Sequence, residues 1–334
     1  MKSIGFGILG AGRIGKLHAR NIAGVVDNAH VVGIMDALPD AAEALAKTSG
    51  AYAIGDAEAL IKDEAVDAVL IASPTTLHAE QIKSAAKAGK AIFCEKPIAF
   101  TLPETIEAME VVEAAGVPFQ IGFNRRYDPG IGALAKAVHT GELGSVEMFR
   151  SQSTDPEPPP LSYVATSGGI YLDSVIHDID IARFVAGDIE RVTALGRVLV
   201  EPGMKEHGDV DTSILTLEFT SGAIGVIQNS RRSVFGHDVR VEVHGEKGKI
   251  VSEDERNTLV WRYGKDGIRG DYNYFFLERF KDAYIGELQA FVNAVLADEK
   301  PHPSPQDAIE SLRVAIAATR SLHEGRPVAI AEVS

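Results

Sequence analysis

The stretch Gly10-Ala11-Gly12-Arg13-Ile14-Gly15 decides the fold prediction, because it places three glycines at the spacing G-x-G-x-x-G. It follows the apolar run Ile4–Leu9 and opens a helix-forming stretch at residues 15–24. The first glycine permits a tight turn, the second lets the backbone approach a pyrophosphate, and the third allows close helix–strand packing. Ordinary turn glycines are the alternative, but the flanking strand and helix favour a dinucleotide-binding turn with the phosphates at the helix N-terminus.

Asp36 follows the next predicted strand, at residues 30–35, and selects between the two nicotinamide dinucleotides. A carboxylate at this position accepts hydrogen bonds from the ribose hydroxyls and repels a 2′-phosphate. The following residues, Ala37-Leu38-Pro39, include no arginine that would offset this repulsion. NAD is therefore the predicted cofactor. A helix N-cap is an alternative role for Asp36, and it is compatible with the first.

The first third of the chain alternates short β-branched runs with alanine-rich helical stretches. The predicted strands are residues 4–9, 30–35, 66–72, 91–94 and 119–122. The predicted helices are residues 15–24, 41–48, 76–88 and 102–115. Such alternation implies crossover connections and a parallel sheet that is covered on both faces. We therefore predict an α/β fold that begins with an NAD-binding Rossmann domain over residues 1–123.

The pattern changes in residues 124–334, which we predict to form a second, α+β domain. A helix at residues 130–139 and a strand at 146–152 precede a proline-rich loop at 155–160. Further predicted strands are residues 191–198, 212–219, 223–229, 239–243 and 258–262. Turn signals between these runs favour antiparallel pairing. Two closing helices, near residues 286–297 and 305–323, are candidates to pack back on the first domain.

The bulk composition excludes several classes of function. With 334 residues, 45% of them hydrophobic and 24% charged, the chain suits a two-domain globular protein. The net charge of −14 disfavours nucleic acids and membranes as partners. A single cysteine, with neither a signal peptide nor a bilayer-spanning apolar stretch, predicts a cytoplasmic location. The expected partner is a small neutral molecule.

Lys96 stands in the tripeptide Glu95-Lys96-Pro97, directly after the strand predicted at residues 91–94. The carboxyl ends of parallel strands line the ligand crevice in this kind of sheet. A lysine there can donate to a substrate oxygen. A surface lysine in a loop is the alternative for any single lysine, but the position beside the expected nicotinamide favours the functional interpretation.

Asp173 and His177 lie four residues apart, so one helix face would carry both. The preceding pair, Gly168-Gly169, lets the backbone pass close to another group. A histidine suits the removal of a hydroxyl proton as hydride departs. A buried structural histidine is the alternative. The acidic residues that follow fall short of a metal ligand set, so no metal is predicted.

Together these residues resemble the glucose–fructose oxidoreductase/inositol dehydrogenase family over nearly the whole chain, and its bacterial inositol 2-dehydrogenase branch in particular. The stretches that carry the resemblance are the glycine turn with His18, Asp36, Glu95-Lys96-Pro97, Asp173 with His177, residues 121–129, residues 155–160 with Tyr163, residues 176–184 and residues 275–280. The resemblance implies an open, mostly antiparallel sheet in the second domain, which serves substrate binding and assembly into a homo-oligomer, a tetramer or a dimer. It also suggests a cis peptide bond between Lys96 and Pro97.

The resemblance further implies roles for individual residues. The catalytic set is Lys96, Asp173 and His177. The cofactor-binding set is Gly10, Gly12, Arg13, Ile14, Asp36, Ser73, Thr75, His78, Glu95 and Lys96, and the substrate set is Asn124, Arg126, Asp155 and His237. We expect His177 to take the hydroxyl proton, Lys96 to donate to the developing alkoxide, and Asp173 to orient the substrate or His177. Because Lys96 and His177 come from different predicted domains, the site is expected in the cleft between them.

The implied reaction is NAD-dependent oxidation of a ring hydroxyl of a cyclic polyol, with myo-inositol and its 2-keto product favoured. Two departures keep other substrates open, since the branch usually has an arginine in place of Thr154 and a tyrosine in place of His237. The alternatives are scyllo-inositol, another inositol isomer or an aldose. An NAD-dependent glycosidase and a non-catalytic NAD-binding sensor are further alternatives, and the intact catalytic set disfavours the sensor. The proline-rich loop is expected to border the substrate site.

Overall fold

The computed structural model describes residues 3–253 and 255–334; Met1 and Lys2, with which the predicted first domain begins, and Asp254 lie outside them. The strands are β1 (Ile4–Leu9), β2 (Ala29–Met35), β3 (Tyr52–Ile54), β4 (Ala68–Ile71), β5 (Ala91–Glu95), β6 (Phe119–Gly122), β7 (Val146–Thr154), β8 (Ile189–Arg197), β9 (Thr212–Phe219), β10 (Ile224–Ser230), β11 (Asp238–Gly245), β12 (Gly248–Ser252), β13 (Arg262–Gly264), β14 (Gly267–Arg269) and β15 (Val328–Ala329). The α-helices are α1 (Arg13–Gly24), α2 (Pro39–Ser49), α3 (Ala57–Lys62), α4 (Thr75–Lys87), α5 (Leu102–Ala115), α6 (Pro129–His139), α7 (Leu161–Val164), α8 (Ile176–Ala186), α9 (Phe276–Arg279), α10 (Lys281–Ala297) and α11 (Pro305–Glu324). Among these helices none is long and apolar enough to cross a membrane.

The described residues divide into two compact units. The first unit runs as far as Asn124 and also includes Ala283–Glu310, and the second consists of Arg125–Asp282 and Ser311–Ser334. The first boundary thus falls one residue after the predicted one at 123/124. The first unit also takes up part of the C-terminal region, which the sequence left as a candidate to pack there.

Parallel strands form the sheet of the first unit, in the order β3-β2-β1-β4-β5-β6. Every residue of β1 and β4 is buried, as expected for central strands covered on both faces. This strand order is that of a doubly wound dinucleotide-binding sheet, and it confirms the predicted fold. Because β5 ends at Glu95, Lys96 directly follows the carboxyl edge where such sheets bind ligands.

The core of the first unit includes a helix from the far end of the sequence. From Ala283 onward α10 belongs to this unit, and its Leu288, Phe291 and Val292 lie in the same buried cluster as Phe93 of β5. The rings of Phe291 and Phe93 meet edge to face, with centroids 5.8 Å apart. The packing of α10 therefore fixes the position of its other inward residues relative to β5.

The sheet of the second unit has the order β12-β11-β7-β10-β9-β8-β15. Only the pair β7 and β10 is parallel among the described pairs of this sheet, which confirms the predicted open, mostly antiparallel architecture. Residues alternate between the two faces, as in β9, where Leu215 and Leu217 are buried and Thr216 and Glu218 are exposed. One face therefore packs on the core, and the other remains exposed in the single chain.

The strand predicted at residues 258–262 is wrong. Strand structure begins only at Arg262, in the short hairpin of β13 and β14, and Leu259 is 91% exposed. An apolar run predicts a strand only where a sheet is available to pair with it. The sequence also missed β3, α3 and β12, which have 3, 6 and 5 residues and are too short for a clear periodic pattern.

Candidate active site

The glycine turn between β1 and α1 has the conformation that its motif predicts. Gly10 has a φ of +107°, which favours glycine, and a Cβ there would lie 2.5 Å from the carbonyl oxygen of Ala72. A Cβ at Gly15 would lie only 1.9 Å from the carbonyl oxygen of Gly10, so the close packing of α1 requires glycine. Around Gly12, nothing lies within 4 Å of an added Cβ. A phosphate group can therefore approach the backbone at that residue.

The N-terminus of α1 suits an anion. The helix begins at Arg13, its N-cap Gly12 supplies no side-chain hydrogen bond, and its first turn contains no acidic residue. The first N–H groups of the helix are thus not capped by the motif, and their dipole favours negative charge. Arg13 is exposed and Ile14 is half-buried beside this end of the helix. The turn and the helix end fit the pyrophosphate of a dinucleotide.

Asp36 lies directly after β2 and is tied to the glycine turn. Its Oδ2 accepts a hydrogen bond from the backbone of Ala11 at 2.6 Å, and its Oδ1 accepts one from Leu38 at 2.9 Å. Because α2 begins at Pro39 with Leu38 as its N-cap, the alternative role of Asp36 as the helix cap is wrong. The half-buried carboxylate is held beside the turn and retains further lone pairs for the ribose hydroxyls.

His78 connects two loops at the carboxyl edge of the first sheet. Its Nδ1 and Nε2 lie 2.9 and 2.8 Å from the carbonyl oxygens of Pro97 and Ser73. Burial lowers the pKa of His78, although both hydrogen bonds oppose this effect. A neutral imidazole has a single N–H and donates to only one of these oxygens at a time, so His78 contacts both loops and helps to position them. Its predicted role in cofactor binding stays a prediction. Thr75, the first residue of α4, begins the helix that carries His78.

Lys96 is half-buried at the start of the loop that follows β5. Its bond to Pro97 is cis, as predicted. The preceding Glu95 turns its carboxylate toward the interior of the first unit, where Oε1 lies 2.6 Å from Nε2 of the buried His18. At least one carboxylate oxygen of Glu95, a predicted cofactor-binding residue, is thus engaged in a hydrogen bond inside the protein.

Asp173 and His177 lie on consecutive helical turns of the second unit, and the first turn is not α-helical. Asp173 belongs to a π-helical turn, Tyr171–Val175, which runs directly into α8, and His177 is the second residue of α8. A π-turn is wider than the regular helix that the sequence predicted. Such turns occur frequently at functional sites.

The glycine pair before this π-turn has a backbone conformation that favours glycine. Gly168 and Gly169 have φ values of +81° and +87°. A Cβ at Gly169 would lie 3.4 Å from Oδ1 of Asp209, which accepts a hydrogen bond from the N–H of Ile170 at 3.0 Å. The pair therefore lets the chain enter the helix against an acidic side chain.

Sequence reasoning missed Arg231, which lies at the centre of an ionic network in the second unit. This buried residue directly follows β10 and donates from Nη2 to Oδ2 of Asp173 at 2.6 Å and from Nη1 to Oδ2 of Asp155 at 3.2 Å. The hydroxyl of Tyr163, just after the proline-rich loop, donates to the other oxygen of Asp173 at 2.8 Å. Burial opposes the guanidinium charge, but Asp173 and Asp155 raise the pKa of Arg231 overall. The network holds a predicted catalytic residue and a predicted substrate residue in one geometry.

His237 is a neutral, buried neighbour of this network. It is 2% exposed, its Nε2 lies 3.7 Å from Oδ1 of Asp155, and its ring meets that of Phe280 edge to face at 5.6 Å. Burial, and then two nearby arginines, lowers the pKa of His237 to about 3. Burial raises the pKa of Asp155, and the charge of Arg231 opposes this. The imidazole of His237 is therefore a neutral polar group at the position where the family branch usually has a tyrosine.

Two predicted substrate residues lie in the 3-10 turn Asn124–Tyr127 that follows β6. Asn124 is buried. The guanidinium of Arg126 donates from Nε and Nη2 to both oxygens of Asp180 at 2.8 and 2.7 Å and stacks over the ring of Phe184. This bidentate pair engages two donors of Arg126 within the second unit. The predicted substrate contact of Arg126 stays a prediction.

Two family descriptions match the chain. Residues 4–123 match an oxidoreductase family with an NAD-binding Rossmann fold. Residues 131–251 match the GFO/IDH/MocA C-terminal domain. Together these ranges cover most of the chain and include part of each unit.

Curated relatives and solved structures resemble the chain over almost its full length. It is 43% identical to the myo-inositol 2-dehydrogenase of Thermotoga maritima, over 98% of each chain. It is 39% identical to the scyllo-inositol 2-dehydrogenase (NAD(+)) of Bacillus subtilis, over 96% of this chain and 94% of the relative. The crystal structure of scyllo-inositol dehydrogenase from Lactobacillus casei with bound NAD(H) and scyllo-inositol superimposes with a TM-score of 0.94 at 31% identity, over 99% of this chain and 100% of that one.

Proposed function

Because this chain belongs to the glucose–fructose oxidoreductase/inositol dehydrogenase family, we propose that it oxidises one ring hydroxyl of an inositol. The enzyme is an NAD-dependent dehydrogenase that acts on a CH–OH group. The reaction that we favour converts myo-inositol to its 2-keto product. One observation carries the proposal, namely the 43% identity over 98% of both chains with a protein named myo-inositol 2-dehydrogenase.

In the proposed mechanism, bound NAD supplies the hydride acceptor. The imidazole of His177 takes the proton of the substrate hydroxyl, and the carbon gives up its hydrogen with the bonding electrons as the C=O bond forms. The ammonium of Lys96 donates to the same oxygen and stabilises its developing negative charge. The proposal requires that Lys96 of the first unit and His177 of the second both act on this one hydroxyl.

Asp173 acts as the orienting residue in this proposal. Its two oxygens already accept hydrogen bonds from Tyr163 and Arg231, at 2.8 and 2.6 Å. A carboxylate held from both sides keeps a fixed position and is less suited to take up a substrate proton. This local geometry supports His177 as the base and leaves Asp173 to align the substrate or the imidazole.

The inositol isomer is the part of the proposal that depends on the second unit. Relatives at 43% and 39% identity carry the names of myo- and scyllo-inositol enzymes, so identity alone does not separate the isomers. The departures at Thr154 and His237 keep another inositol isomer or an aldose as alternatives. Since His237 is neutral and buried beside Asp155, we propose that it shapes the polar side of the pocket that distinguishes among ring hydroxyls.

The direct test is a panel of myo-inositol, scyllo-inositol and aldoses, each offered with NAD or NADP while the absorbance of the reduced cofactor is followed. The proposal expects net NADH formation, fastest with an inositol. An NAD-dependent glycosidase would regenerate its cofactor and would form no net NADH, and a sensor would turn over none of the compounds. An aldose as the best substrate would replace inositol in the proposal.

We also propose that the enzyme works in the cytoplasm as a homo-oligomer, a tetramer or a dimer, through the exposed face of the second sheet. Strand register places four partly exposed apolar side chains on this face: Met148 opposite Ile224, and Leu195 opposite Ile214. Uncovered apolar area of this kind favours association. Analytical ultracentrifugation should show an oligomer that Ile214→Asp dissociates. A wild-type monomer would contradict the proposal.

A further inference from the structure

Three titratable side chains meet inside the first unit, and one of them, Glu95, directly precedes Lys96. His18 of α1, Glu95 of β5 and Glu287 of α10 each place a nitrogen or carboxylate oxygen within 4.8 Å of the others. His18 and Glu287 are fully buried, and the side chain of Glu95 is 12% exposed. The proposed mechanism uses neither His18 nor Glu287, so the burial of these polar groups requires another explanation.

The surroundings of Glu287 disfavour a negative charge. Neither of its oxygens has a hydrogen-bond partner among the described residues. The elements packed against it present His18 from α1, Glu95 from β5 and the neutral Gln120 from β6, which donates to the backbone oxygen of Glu287 at 3.1 Å. Burial deprives an unpaired carboxylate of its hydration, and a neutral acid avoids most of that cost. Burial, and then the charge of Glu95, raises the pKa of Glu287 well above its ordinary value.

The distance between His18 and Glu95 favours a shared proton over a bound metal. Their Nε2 and Oε1 are 2.6 Å apart, which is a hydrogen-bond distance. Two ligands of one tetrahedral zinc ion, with bonds of about 2.0–2.2 Å, would be separated by roughly 3.4 Å. The pair is therefore already joined by a hydrogen bond, and the oxygens of Glu287 lie near it without a hydrogen bond of their own.

We propose that Glu287 is a positioning residue, a neutral carboxylic acid that lies within 4.8 Å of the His18–Glu95 pair and whose hydroxyl, by rotation of the side chain, donates to that pair and so fixes the strand end that precedes Lys96. The close packing of β6 supports this, since a Cβ at Gly122 would lie only 3.2 Å from the carboxylate of Glu95. Glu95 thus has little room to move and is held by a hydrogen bond on its other side. The consequence for catalysis rests on the proposed role of Lys96.

Two variants of nearly equal size separate this role from simple packing. Glu287→Gln keeps a neutral hydrogen-bonding group, whereas Glu287→Leu removes it, and Asn293→Leu on the exposed side of the same helix is the matched control. We expect Glu287→Gln and the control to keep a kcat close to that of the wild type. Glu287→Leu should lower kcat by about a hundredfold, because a small displacement of a catalytic group costs that much. The KM for NAD should change little.

Two further measurements test the role of Glu287 without depending on catalytic turnover of a substrate. Infrared spectroscopy should show the carbonyl stretch of a buried protonated carboxyl group in the wild type and its loss in Glu287→Gln. The rate of reductive methylation of Lys96, read by peptide mass spectrometry, should change in Glu287→Leu and not in Glu287→Gln. These results stand even if no inositol is oxidised, so they separate this inference from the proposed function.

Three results would overturn the inference. The first is a wild type without the infrared band. The second is a folded Glu287→Leu variant with unchanged kcat and unchanged Lys96 reactivity. The third is a stoichiometric metal ion in the purified wild type that both variants lose. If Glu287→Leu does not fold, the infrared band and the behaviour of Glu287→Gln decide the question.

Discussion

Arg231 and Asp173 form a buried ion pair in which the Nη2 of the guanidinium lies 2.6 Å from Oδ2 of the carboxylate. The family resemblance assigns Asp173 to catalysis, and the structure shows that it does not act as an isolated group. Breaking a buried pair of this kind is costly, because it leaves the remaining charge without a partner. The geometry of Asp173 should therefore depend on Arg231.

Replacing Arg231 by glutamine should lower both stability and kcat. The free energy of unfolding should fall by about 3–5 kcal/mol, because Asp173 and Asp155 lose their shared cation. The adjacent, exposed Arg232→Gln is the matched control and should change neither quantity appreciably. Chemical unfolding and NADH formation, measured where both variants are folded, check the two effects. An Arg231→Gln variant that loses stability but keeps its kcat would restrict Arg231 to a structural role.

Asp36→Ala should weaken NAD binding and narrow the preference for NAD over NADP. The physical reason is the loss of the carboxylate that accepts from the ribose and repels a 2′-phosphate. The exposed Asp40→Ala, in the first turn of α2, is a control that should leave the preference unchanged. The ratio of kcat/KM for the two cofactors measures the effect. Equal use of NAD and NADP by the wild type would refute this role of Asp36.

The local features of the chain could be predicted because each depends on a few adjacent residues. The glycine turn, the strands at Ile4–Leu9 and Phe119–Gly122 and the cis bond at Pro97 are of this kind. Arg231 could not be found in the same way. Its position beside Asp155 follows from the parallel pairing of β7 and β10, which places Ser230 opposite Thr154, and no turn signal reveals such a pairing.

Two other features, the burial of Glu287 and the π-turn, could not be predicted from local sequence either. In the sequence, nothing distinguishes Glu287 from any other acidic residue of a helical stretch. Its burial arises because α10, which lies far from His18 in the sequence, joins the core of the first unit. The π-turn at Tyr171–Val175 has the periodicity of a helix in sequence, so it was predicted as a regular one.

Acid should destabilise the protein through His237. Its pKa is about 3 in the folded state against 6.5 for the unperturbed side chain, so the unfolded chain binds the proton first as the pH falls. The contribution to stability is complete above about pH 6.5 and is lost progressively toward pH 3. His237→Phe should flatten the fall of Tm over this range, and the exposed His207→Phe should not. Because the raised pKa of Asp155 acts in the opposite sense, the difference between variant and wild type is the decisive quantity. Parallel curves for His237→Phe and wild type would contradict the prediction.

His177→Ala should lower kcat by about a hundred- to ten-thousandfold, since a positioned base typically contributes that much. Lys96→Ala should be at least as damaging, because it removes the charge that meets the alkoxide. NAD binding, measured by fluorescence titration, should be nearly unchanged in His177→Ala and modestly weaker in Lys96→Ala. The exposed His207→Ala is the control. Near-normal turnover in His177→Ala would make His177 a structural histidine and direct the search for the base to Asp173.

The most direct test of the proposed chemistry follows the hydrogen itself. Myo-inositol carrying deuterium on the ring carbon that is oxidised should be mixed with the enzyme and NAD, and the reduced cofactor analysed by mass spectrometry. Direct hydride transfer predicts that NADH gains the deuterium in step with the appearance of the keto product. NADH without deuterium, or no net NADH from any inositol isomer, would contradict the account.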